Sequence, residues 1–97
     1  MKLNEVLKSK QFVLIDFQSD DCPPCKLIRS ELEKVSALSG DYLEVFLVDQ
    51  KEQMEVFKAF NVQSLPHLKL FKNGRPLWSN TGLISSEEIL EVINKEK

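Results

Sequence analysis

Residues 11–18, QFVLIDFQ, constrain the fold of this chain more than any other segment. They form a near-continuous apolar run of strand length, without the in-out alternation of a strand that is wet on one side. Such a run belongs to a strand covered on both faces, as in a parallel sheet flanked by helices. Asp16 interrupts it as a lone carboxylate. The turn SDDC follows at once, and Cys22-Pro23-Pro24-Cys25 then opens an amphipathic helix. Pro23 suits the first helical position, where its missing N–H loses nothing. That helix is expected to run to about residue 38, with Ile28, Leu32 and Val35 on one stripe. Arg29, Glu31, Glu33 and Lys34 fall mainly outside, and Gly40 supplies the C-terminal stop.

A second apolar strand is expected over residues 42–48, interrupted by Glu44. Two strands joined by a helix of this length make a βαβ unit, with parallel strands and a right-handed crossover. A helix is expected over residues 52–60, with Asn61 in the left-handed cap position. The stretch QSLP ends at Pro66 and leads into a strand over residues 67–72. Asn73-Gly74 is a strong hairpin signal, turning the chain into a last strand over residues 76–80. Pro76 belongs at the edge or start of that strand. Ser85 with Glu88 three residues later forms a capping box for a final helix reaching about residue 94. With a short helix over residues 3–9, the order is αβαβαββα.

At 97 residues the chain is expected to form one domain, spanning residues 1–97. A hydrophobic share of 42% and a charged share of 29% are those of an ordinary globular protein. No apolar run approaches the roughly 20 residues of a membrane span. The start MKLNEVLKSK has no apolar core behind its basic residues, so no signal peptide is read and a cytoplasmic location is expected. The net charge of −2, with acids and bases interspersed, leaves no basic stripe for nucleic acid.

In a cytoplasmic chain, an isolated pair of cysteines points to catalysis or metal binding before structural bridging. Two thiols separated by two residues at a helix start can form and break a disulfide locally, and the first gains from the helix dipole and unpaired donors. Cys22 is the candidate nucleophile and the more exposed thiol; Cys25 would resolve the mixed disulfide. A closed zinc site wants four ligands, and only two thiols and one imidazole, His67, exist here. No metal site is therefore assigned within one chain, and a cluster shared by two subunits is the remaining metal arrangement. No cofactor is expected. Asp16 would have its pKa raised by burial, and could then take the Cys25 proton.

The order of elements, VLIDF with Asp16, the CxxC followed by Lys26, Leu65-Pro66, LKLFKNG and Gly82 together resemble the thioredoxin family, over nearly the whole chain. The resemblance implies a three-layer α/β/α sandwich with a truncated N-terminus and a four-stranded mixed central sheet. The 42–48 strand would then lie at an edge, where Glu44 discourages further pairing. It implies a cis Pro66, a substrate groove of Leu65, Pro66 and Gly82 beside Pro23 and Pro24, and Asp16 as the buried acid. His67 could tune the site or serve only as a strand position.

The chain also departs from the family. DCPPC stands for WCGPC, Gln18 and Asp21 replace aromatics, Asp20 adds an acid, Val45 takes the place of the middle-strand lysine, and Ser30 that of the helix-kinking proline. Acids beside Cys22 disfavour its thiolate, and the prolines leave Cys25 N–H as the main donor. Cys22 is thus expected to be less acidic than in WCGPC sites and the pair more reducing. The function implied is a thiol–disulfide oxidoreductase reducing protein disulfides through Cys22 and Cys25. Its partners would be disulfide-containing clients and a thiol reductase that recharges the pair, with no nucleic acid, no membrane and a monomeric state. The alternative is a binding module that docks extended segments with little redox turnover.

Overall fold

Seven consecutive buried residues make up β1 (Phe12–Gln18), as a strand covered on both faces requires. The computed structural model describes residues 12–97, so the helix expected over residues 3–9 lies outside the described residues. β2 (Leu43–Asp49) pairs with β1 in parallel, β3 (His67–Lys72) pairs with it antiparallel, and β4 (Arg75–Thr81) pairs antiparallel with β3. The mixed sheet has the order β2-β1-β3-β4. Among the described residues β2 is an edge strand, and its Glu44 is half-buried.

Side-chain alternation along β1 divides the interior into two layers. Phe12 and Leu14 pack with Ile28, Leu32 and Val35 of α1 (Pro23–Ser39) and with Ile89 and Ile93 of α3 (Ser86–Glu96). Val13, Ile15 and Phe17 face the other way, against Phe57 of α2 (Met54–Ala59). The result is an α/β/α sandwich, and the even-numbered residues of β1 lie beneath α1.

Local chemistry accounts for the element ends. Cys22 is the N-cap of α1, with prolines at the first two helical positions, and Gly40 ends that helix at φ 67°, where a side chain would be strained. Asn73 and Gly74 both have positive φ, 52° and 82°, which is what the tight hairpin demands. Pro76 sits near the start of β4, an edge strand among the described residues, at a register shift opposite Leu70 and Phe71.

Two expectations need correction. α2 begins at Met54 rather than Glu52, because Asp49 Oδ2 accepts the N–H groups of Lys51 (3.0 Å) and Glu52 (3.1 Å) and holds a turn there. The capping box of α3 is only half formed. Ser85 Oγ accepts the Glu88 N–H at 3.2 Å as expected, but it also donates to Glu88 Oε1 at 3.2 Å. The neighbouring donor, Ser86 N–H, goes at 2.8 Å to Glu31 Oε1 of α1. Glu31, expected on the outer face, is a cap supplied across the helix–helix seam. Its carboxyl pKa is lowered, first by that backbone donor and then by Lys34.

Candidate functional site

The reactive end of the molecule is built where β1 gives way to α1. Cys22 and Cys25 are joined by a disulfide, with Cα atoms 5.2 Å apart. Cys22 is 8% exposed and Cys25 fully buried, which makes Cys22 the sulfur a partner can reach. Because Pro23 and Pro24 carry no N–H, the Cys25 N–H is the first donor the helix can offer. It lies 3.2 Å from Cys22 Sγ, so the sulfur of Cys22 is also the helix cap. A thiolate at that position would receive this bond and the positive end of the helix dipole.

Asp16 is fully buried in β1 on the α1 side, and neither carboxylate oxygen has a hydrogen-bond partner. Burial pushes its pKa up from 3.8 to about 6, and Arg29 pulls in the opposite direction more weakly. The β1–β2 register sets Leu47 across from Asp16, and Val45 across from Leu14. The position beside the buried acid is therefore Leu47, which is apolar. Gln18, on the same face as Asp16, is buried and accepts a hydrogen bond at Oε1 from Arg29 Nη2.

A shallow groove of about 500 Å³ runs past Cys22, lined by Pro23, Pro24 and Leu65 together with Ser19, Asp21, Gln50, Lys51, Gln63 and Ser64. The Leu65–Pro66 peptide bond is cis. Of the three residues expected to form the contact surface with Pro23 and Pro24, only Leu65 lines this groove. Pro66 is buried behind it, and its carbonyl accepts the Gly82 N–H at 2.9 Å. Gly82, at φ 95°, thereby ties the end of β4 to the segment that presents Leu65.

Gln50 and Lys51 were not singled out from the sequence. They reach the groove because Gln50 N–H continues the strand pairing to Gln18 O at 2.9 Å and the Asp49 turn follows. An Asp closing a strand ahead of polar residues was the available signal for them.

Asp20 and Asp21 are both exposed, and Lys51 Nζ stands 3.7 Å from Asp21 Oδ2 in an open ion pair. His67 is held as a strand residue. Its Nδ1 is 2.9 Å from Thr81 Oγ1, its ring packs edge-on to Phe17, and burial followed by Lys69 lowers its pKa. Among the described residues no group of three or more His, Cys, Asp or Glu side chains is arranged to hold a metal ion. Among them, too, no helix is long and apolar enough to cross a membrane.

A family model described as Thioredoxin matches residues 3–95. A thioredoxin of Rickettsia typhi is 33% identical over 92 residues, covering 95% of this chain and 88% of that protein. A thioredoxin of Bacillus subtilis is 33% identical over 87 residues, covering 90% and 84%. Among solved structures, a thioredoxin from Halobacterium salinarum superposes with a TM-score of 0.86 at 26% identity, over 96% of this chain and 80% of that one.

Proposed function

This chain belongs to the thioredoxin family and is a protein-disulfide reductase working through its close-spaced cysteine pair; on that premise we propose how its own residues divide the work. The Cys22 thiolate attacks a client disulfide, forming a mixed disulfide and expelling one client thiolate. Asp16 takes the proton of Cys25, whose thiolate then attacks Cys22 Sγ and releases the second client thiolate. Two electrons pass from the dithiol to the client, and the released thiolates are protonated by solvent and by Asp16. The observation that carries this reading is the partly exposed Cys22 at the helix cap, with buried Asp16 on the strand face beneath that helix.

Leu65, Pro23 and Pro24 receive an extended client segment, while Pro66 and Gly82 support the backbone that presents Leu65. The DCPPC site is an atypical member of the family. Two exposed acids close to Cys22 and the loss of one further helix-start donor, at Pro23, raise the thiolate's free energy, and a destabilised thiolate favours the disulfide. The pair therefore sits toward the reducing end, suited to a monomer in the cytoplasm that a thiol reductase recharges.

Reduction of insulin by dithiothreitol, followed as turbidity, tests the activity of these residues: the wild type accelerates it and Cys22→Ser does not. The equilibrium redox potential of the Cys22–Cys25 couple tests the direction, and a value typical of oxidants would overturn it. The second reading, a module that docks extended segments with little turnover, is favoured by the exposed acids flanking Cys22 and by Gln18 and Asp21 at aromatic positions. Retained client binding by a wild-type protein that gives no turnover would establish it.

A further inference from the structure

Asp16 is surrounded by groups that cannot answer its charge. Leu47 faces it from β2 and Leu68 from β3, while α3 brings Ile89 and Ile93 to the same layer. Asp49, across from Gln18, turns its carboxylate to the N–H groups of Lys51 and Glu52. The remaining charged or titratable groups on that side come from α1: Arg29, Glu33, which lines a hollow with Arg29 and Leu47, and Cys25 once it is reduced. Arg29 lies one helical turn beyond Cys25. Its stem is exposed, yet its guanidinium reaches back to the carbonyl oxygen of Gln18, a buried side chain two residues along β1 from Asp16. A long surface arginine would otherwise sample many rotamers in water. The bond to Gln18 selects one of them, and from that place the Arg29 charge acts on the buried carboxylate.

We infer that Arg29, latched by Gln18, is a positioning residue for the resolving step: it holds Asp16 as the carboxylate that receives the Cys25 proton. In a low-dielectric pocket without such a cation, desolvation alone would favour the protonated acid, which cannot accept that proton. With Arg29 in place the acid stays available nearer neutrality. The inference rests on the role of Asp16 proposed above. The field comes from an exposed cation, so it is weakened by salt.

The test combines two readouts. Carbon-13 titration of the Asp16 carboxyl in the oxidised protein reports its midpoint directly. Release of thionitrobenzoate from a mixed disulfide on Cys22 reports resolution, because the Cys25 thiolate attacks Cys22 Sγ and the coloured thiolate leaves. Arg29→Met should move the Asp16 midpoint upward by about one pH unit, a tenfold change in proton affinity, and carry the pH profile of release with it. Arg29→Lys should restore most of that shift, Gln18→Leu should produce part of it, and high salt should shrink the difference between wild type and Arg29→Met. An Asp16 midpoint unchanged in Arg29→Met overturns the assignment of Arg29 while leaving Asp16 its own role. Release in Asp16→Asn with the wild-type rate and pH profile overturns the Asp16 reading itself.

Discussion

The two faces of β1 do different work. Toward α2 the strand shows Val13, Ile15 and Phe17, all apolar, and Phe17 meets Phe57 edge-on with ring centroids 5.2 Å apart. Toward α1 it begins the same way with Phe12 and Leu14, then changes to Asp16 and Gln18. One face is stabilised along its whole length by area removed from water and by close packing. On the other, the last two positions are polar: a buried carboxylate with no hydrogen-bond partner, and an amide that accepts from Arg29. The fold tolerates an unpartnered carboxylate because the opposite face and the first half of the same face carry the stability.

This division can be broken at its extremes. Cys22→Ser, at the reactive end, should lower insulin reduction to the uncatalysed background while leaving the denaturation midpoint near that of the reduced wild type. Loss of folding in that variant would contradict the separation. Phe17→Ala should do the reverse, lowering stability by about 3–5 kcal/mol while the protein that remains folded keeps its resolving rate. Urea denaturation and thionitrobenzoate release, measured on the same sample, decide between them.

Asp16→Asn sharpens the comparison through pH. The folded-state pKa is raised from 3.8 to about 6, so ionising Asp16 destabilises the folded protein. Wild-type stability should therefore fall relative to the variant as pH rises from about 4 through 6, by about 3 kcal/mol in total, and level off above. A pH-independent difference in the denaturation curves would sink this account.

The smallest effect expected is at Glu31, whose pKa is lowered and whose linkage has the opposite sign. Its contribution is present above the unfolded pKa and lost as pH falls through the folded one. Glu31→Gln should lower the melting temperature modestly at neutral pH and converge with wild type in acid. A gap that persists in acid would rule out the charge as its source.

What the sequence made legible is what short patterns encode. The strand around Asp16, the helix opened by Cys22 and Pro23, the Asn73-Gly74 turn and the sheet order all follow from neighbours a few residues apart, or from the family resemblance. What escaped depends on contacts between distant residues. Glu31 reaches Ser86 across 55 positions, and Arg29 reaches Gln18 across 11. As letters, both look like ordinary outer-face residues of an amphipathic helix. The register that brings Leu47 beside Asp16 could likewise not be read from β2 alone, since Val45 and Leu47 are both apolar residues on the same face.

The Asn73-Gly74 hairpin has a practical corollary. Lys72 lies across from Phe12 and His67 across from Phe17, so this turn stands at the opposite end of the sheet from Cys22. At about 3.3 Å per residue, the length of β1 places it on the order of 20 Å away along the strands. Asn73 and Gly74 are exposed, and open space surrounds Gly74. A linker to a bead, an electrode or a fused reporter inserted there would immobilise the protein with its groove turned outward. A collection of such molecules would then present every reactive sulfur to the solution in a common orientation.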